Sequence, residues 1–189
     1  AVDLGALMDH LGIEDAVLVG HSFGGVVGLQ YGIRHQERVK GLVLADSRIH
    51  SLQPTQSLAD QPELQGLESE LIAESIEDWQ EEPHVGLRLL EELARHKLKN
   101  GRLTNRQGFN PFDGMGKGER SARLWLRLLE TTTAREDIRA SAGLTLDRIN
   151  TFRKPIVLIY GERSRCIETC RQLRQLLPHS DTIIVPGVG

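Results

Sequence analysis

Ala16-Val17-Leu18-Val19-Gly20-His21-Ser22-Phe23-Gly24-Gly25 is a short apolar run that ends in a glycine-rich turn. Ala16 to Val19, bounded by Asp15 and Gly20, reads as a buried strand. The residues from about Phe23 to His35 read as the helix that follows. Between them, Gly20-His21-Ser22-Phe23-Gly24 has the form G-x-S-x-G, in the strand–turn–helix setting that this pattern requires. A serine hydroxyl is a weak nucleophile unless it is held exposed and paired with a base. A tight turn at the end of a strand projects Ser22 above the sheet and crowds the backbone, so small residues are needed two positions to either side. Gly20 and Gly24 meet that need, and His21 helps to shape the turn. The amide of Phe23 opens the helix and can donate to a developing oxyanion. Gly25 and Gly28 let the helix approach the sheet. The bland alternative, a glycine-rich turn with an incidental serine, stays open on five residues alone. A dinucleotide loop and a phosphate loop are disfavoured, because neither G-x-G-x-x-G nor a G-K-[ST] ending is present.

Working outward, Val2, Leu4, Leu7, Met8 and Leu11 fall at helical spacing, and Gly12 stops that helix. Gly41 to Ala45 reads as a second buried strand, Ile156 to Tyr160 as a third and Thr182 to Val185 as a fourth, with a helix over Cys166 to Leu177. Apolar strands alternating with helices predict an α/β fold whose parallel sheet is covered on both faces. Right-handed crossovers are expected to set the helices alternately around it.

About a hundred residues separate the second and third strands, too many for a plain connection. Helical patterning falls on Glu63–Trp79, Val85–Lys99, Glu119–Thr131 and Leu144–Phe152, and Asn110–Gly118 reads as a loop. The expected organisation is a core over residues 1–47, a helical cap insertion over 48–143 lying across one end of the sheet, and the rest of the core over 144–189. Trp79, Phe109, Phe112 and Trp125 either line a pocket above Ser22 or, as is more usual, form the core between cap helices. Glu91, Glu92 and Arg120 read as solvated faces, and Gln80–Pro83 as a loop.

The net charge of −3 gives no sign of a nucleic-acid partner or an anionic surface. No apolar run approaches the roughly 20 residues of a membrane span. Cys166 and Cys170 have no second Cys/His pair at ligand spacing, so they read as reduced thiols on one helix face rather than half a metal site. Reduced thiols fit a cytoplasmic protein.

The chain resembles the α/β-hydrolase fold family, in its capped, esterase-like and lipase-like members. The resemblance is carried by DLGALMDHLGIEDAVLVGHSFGGVVGLQYGIRHQERVKGLVLAD, by KPIVLIYGERS and by LLPHSDTIIVPGVG. It covers about residues 1–47 and 144–189, while the middle is similar only to a generic cap. It implies a serine hydrolase with a catalytic triad, needing no metal or organic cofactor and acting on a small-molecule acyl substrate.

The resemblance also marks what is not here. The family's base follows a P-G-x-G type turn, where this sequence reaches Gly189. None of His10, His21, His35, His50, His84, His96 and His179 stands in that place. The strand whose loop gives the second oxyanion donor would precede residue 1. Without such strands Ala16–Val19 becomes an apolar sheet edge. The expectation is therefore a fragment or a degenerate relative, inactive as it stands. Many relatives carry the triad acid in a G-x-x-D turn, but Gly161-Glu162-Arg163-Ser164 has serine in that slot. Others carry it at the end of the strand after the nucleophile, which is Asp46. Asp46 either orients the imidazole or caps backbone N–H groups. Glu162 is the lesser candidate, and Glu168 reads as a solvated helix residue. A serine in the elbow argues against the dehalogenase and epoxide-hydrolase relatives, which use aspartate there. A carbon–carbon-cleaving or lyase-type relative stays open, as does a non-catalytic binding protein. The cap carries no readable substrate code, and nothing in the residues sets the oligomeric state.

Overall fold

The computed structural model describes residues 1–54, 85–101, 112, 118–140 and 143–189. The chain divides into two compact units, Ala1–Pro54 with Ala140–Gly189, and Thr55–Arg139.

The first unit holds α1 (Val2–His10), β1 (Ala16–His21), α2 (Phe23–Arg34) and β2 (Val39–Ala45). After the second unit the chain returns through the single-turn α6 (Leu146–Ile149), β3 (Ile156–Gly161), α7 (Ile167–Leu176) and β4 (Asp181–Val185). The four strands are parallel and lie in the order β1-β2-β3-β4. Leu18 lies opposite Leu42 and Leu42 opposite Ile156, so these side chains share one face. That face is the core, where Leu42, Leu44, Ile156, Leu158 and Tyr160 meet Leu29 and Tyr31 of α2 and Cys170 and Leu173 of α7. Gly25, Gly28 and Gly32 bring α2 down onto it. A Cβ on Gly25 would meet Ser47 Oγ at 2.0 Å, and one on Gly32 would meet Phe152 at 2.9 Å.

Two expectations need correction. A sheet that adds strands in sequence in one direction puts every right-handed crossover on the same side, so α2 and α7 share a face instead of alternating. Val17 and Val19 point to the other face and are 59% and 74% exposed. The strand expected to be buried on both faces is therefore open on one of them, and β1 is an edge strand of the described sheet. The apolar stripe of α1 is likewise mostly exposed, with Met8 alone fully buried.

The second unit contains α3 (Val85–Asn100), α4 (Gly118–Thr131) and α5 (Ala134–Arg139). Leu89, Leu93 and Ala94 of α3 pack with Phe112 and with Ala122 of α4, and Trp125 packs against them. Phe112 and Trp125 thus belong to the core of their own unit, while Trp79 and Phe109 lie outside the described residues, as do Glu63–Trp79 and most of Asn110–Gly118. Glu91 is not a solvated residue. It is 6% exposed and takes a bidentate pair from Arg135, at 2.5 and 3.0 Å, and a third bond from Arg95 at 2.7 Å. Helical periodicity marked Glu91 as polar, but the partner that buries it comes from α5, a helix the periodicity did not announce.

Candidate active site

All four strands are parallel, so their C-terminal ends form one edge of the sheet. The turns that follow them collect the sequence-derived candidates. Ser22 follows β1, Asp46 follows β2, Glu162–Ser164 follows β3 and Pro186–Gly189 follows β4.

Ser22 is the N-cap of α2 with φ 52° and ψ −123°, a backbone state that costs a non-glycine residue of order 1–3 kcal/mol. Its surroundings hold it there. Its amide donates to the Ala45 carbonyl at 3.0 Å, and its carbonyl accepts from the Gly25 amide at 3.1 Å. A Cβ on Gly20 would lie 2.5 Å from the backbone of Gly24 and Gly25, which explains why that position is glycine. Gly24 is different: a Cβ there meets no heavy atom within 4 Å. The crowding expected on both sides of Ser22 is thus real at Gly20 only. The Ser22 side chain is exposed. The Phe23 amide is the first of α2, and a first-turn amide has no carbonyl of its own helix to donate to. His21 ends β1 on the open face and is exposed.

Asp46 also has positive φ, at 48°. Its amide donates to the Ile159 carbonyl at 2.9 Å, and the next residue, Ser47, is fully buried and accepts the Tyr160 hydroxyl at 2.7 Å. The Asp46 carboxylate accepts a hydrogen bond from Ser164 Oγ, and Ser164 Oγ accepts the Cys166 amide at 2.9 Å. The two candidate acid positions, after β2 and after β3, are therefore joined. The serine in the G-x-x-D slot reaches across to the aspartate at the end of the neighbouring strand. The sequence flagged Ser164 only as a departure; the bond to Asp46 needed the register of β2 and β3.

Glu162 is committed elsewhere, since its Oε2 accepts the Gly187 amide at 2.8 Å. With the Arg163 amide donating to the Val188 carbonyl at 2.8 Å, this pins residues 187–189 against the β3 turn. Glu168 bonds Arg171 and Gln172 on its own helix. Burial, and secondarily the nearby Asp46 charge, pushes the Cys166 thiol above its ordinary pKa. Cys166 and Cys170 are free thiols.

Among the described residues, three histidines lie away from this edge. His35 caps the far end of the 12-residue α2, about 18 Å from its start. His10 and His179 precede the N-terminal ends of β1 and β4, a strand's length away. His96 lies in the second unit, where it bonds Asn100, and His84 lies outside the described residues. His50 is exposed in the loop after β2. Among the described residues no group of three or more His, Cys, Asp or Glu is placed to hold a metal ion, and no helix is long and apolar enough to cross a membrane.

The family model for the alpha/beta hydrolase fold matches residues 1–189. The chain belongs to the α/β-hydrolase fold family. Within it, homoserine O-acetyltransferase of Thermus thermophilus is 50% identical over 38 residues, 20% of this chain and 10% of that protein. The 2-hydroxymuconate semialdehyde hydrolase of Pseudomonas sp. strain CF600 is 50% identical over 52 residues, 28% and 18% of the two chains. Among solved structures, a carboxylesterase of Nitrososphaera gargenis superposes with a TM-score of 0.53 at 16% identity, over 98% of this chain and 61% of that one. A bacterial membrane phospholipase A gives 0.58 at 18%, over 98% and 54%. This α/β-hydrolase chain thus spans less than two thirds of these relatives, and identities this low in the structures speak for the fold alone.

Proposed function

We propose that Ser22 is the nucleophile of an acyl-bond hydrolase acting on an ester, thioester or related small-molecule substrate. The observation that carries this reading is the Ser22 backbone, held at φ 52° between the end of a strand and the first amide of a helix. Ser22 Oγ attacks the substrate carbonyl. The Phe23 amide, with a second donor, stabilises the oxyanion, a contribution of roughly 10²–10³ in rate per donor. A histidine takes the serine proton and returns it to the leaving group, and Asp46 orients the imidazole. Glu162 is tied to Gly187, whereas the second carboxylate oxygen of Asp46 has no hydrogen-bond partner among the described residues. That contrast supports Asp46 as the acid. In the family the base follows the P-G-x-G turn. Here that turn packs on Arg163, next to Ser164, so a base carried next in the chain would arrive beside Asp46.

Carbon–carbon cleavage by the same serine is the second reading. In the full chain, Ser22→Ala should abolish hydrolysis of p-nitrophenyl acetate while leaving the circular dichroism spectrum unchanged. Retained esterase activity would overturn the nucleophile assignment.

A further inference from the structure

We infer that Ser164 is a positioning residue that fixes the Asp46 carboxylate for the imidazole, an inference that rests on the reading of Asp46 as the triad acid. A hydroxyl has one proton and two acceptor lone pairs. Ser164 Oγ spends a lone pair on the Cys166 amide at 2.9 Å. An ionised carboxylate can only accept, so the hydroxyl proton must point at Asp46 Oδ1. With the carboxylate ionised, the bond therefore runs from the Ser164 hydroxyl to Asp46.

Three further observations show that the arrangement is held rather than incidental. Ser164 is 4% exposed, so water is excluded from its side of the carboxylate. Its own backbone is tied at both ends of the turn, its amide to the Gly161 carbonyl at 3.1 Å and its carbonyl to the Ile167 amide at 3.1 Å. Asp46 is fixed from beneath by the Ile159 carbonyl. A carboxylate anchored at its backbone still rotates about its terminal bond, which is broad and soft. Ser164 removes that freedom by engaging one oxygen, and the other is left for the ring N–H. One charge-assisted hydrogen bond thus does two things: it stabilises the ionised acid and chooses which oxygen faces the base.

The effect is expected in turnover and not in binding, because Ser164 acts through Asp46. In the full chain, with p-nitrophenyl acetate as substrate, Ser164→Ala should lower kcat about 10- to 100-fold, the worth of such a bond, and leave KM within about twofold. A double-mutant cycle separates this from a general packing defect. Ser164→Ala added to Asp46→Asn should cost less than about twofold beyond Asp46→Asn alone, since the group it positions has gone. Ser164→Thr, which keeps the hydroxyl, should recover most of kcat. If Ser164→Ala fails to fold, the near-isosteric Ser164→Cys, a weak donor, carries the same cycle. A kcat within twofold of the unmodified protein, or losses that multiply in the double variant, would overturn the role of Ser164 while leaving Asp46 in place. A near-normal rate for Asp46→Asn alone would instead remove the reading on which it rests.

Discussion

Ser22 and Asp46 stand one residue past the ends of adjacent parallel strands, and both hold a left-handed backbone, at φ 52° and 48°. They are the two non-glycine residues with positive φ among those described. Strain of this kind persists where the surroundings over-determine it, and it gathers at functional sites. Here the Ser22 amide bonds the carbonyl directly before Asp46, so the two turns brace each other.

Relieving the strain at Ser22 should stabilise the fold. Ser22→Gly removes the Cβ at φ 52° but loosens the unfolded chain, for a net gain of about 1 kcal/mol. Thermal melts should place Tm a few degrees above the unmodified protein, with esterase activity gone. An unchanged or lower Tm would mean that the turn is not strained.

Asp46→Asn keeps a residue type that tolerates the left-handed region, so it tests charge without disturbing the backbone. If Asp46 is the acid, kcat falls by roughly 10³–10⁴ with little change in melting. A rate within tenfold of the unmodified protein would send the role elsewhere.

The elbow glycines should respond unequally. Gly20→Ala sets a Cβ 2.5 Å from backbone that has no room to move and should cost about 3 kcal/mol or prevent folding. Gly24→Ala meets open space inside a helix and should be neutral or slightly stabilising. Urea unfolding of the two variants gives the comparison; equal costs would contradict the geometry.

The second unit should weaken in acid through Glu91. The Arg135 hydrogen bonds hold its carboxyl down to about 2, against the ordinary 4.5, while burial opposes them. A depressed folded pKa adds stability that is full above about pH 4.5 and is lost as pH falls towards 2. Glu91→Gln should cost roughly 1–3 kcal/mol at pH 7. The gap from the unmodified protein should close between pH 4.5 and pH 2 in thermal melts. A gap independent of pH would show that the ion pair does not carry the contact.

The sheet and the elbow were legible because each rests on local signals. Apolar runs mark β1 to β4, and Gly20 with Ser22 marks the turn between a strand and a helix. Which face each strand buries was not legible, since that follows from strand order, and the order came out sequential. The burial of Glu91 escaped for a similar reason: Arg135 lies 44 positions along the chain. Ser164 was visible as an oddity in an acid slot. Its bond to Asp46 joins residues 118 positions apart and appears only once β2 and β3 are in register.

An activated Ser22 hydroxyl should react with an active-site label. The full chain is treated with a fluorophosphonate, digested and mapped by mass spectrometry. One phosphonyl adduct is expected, on the peptide holding Ser22, absent from Ser22→Ala and with Cys166 unmodified. No adduct, or an adduct elsewhere with Ser22 untouched, would contradict it.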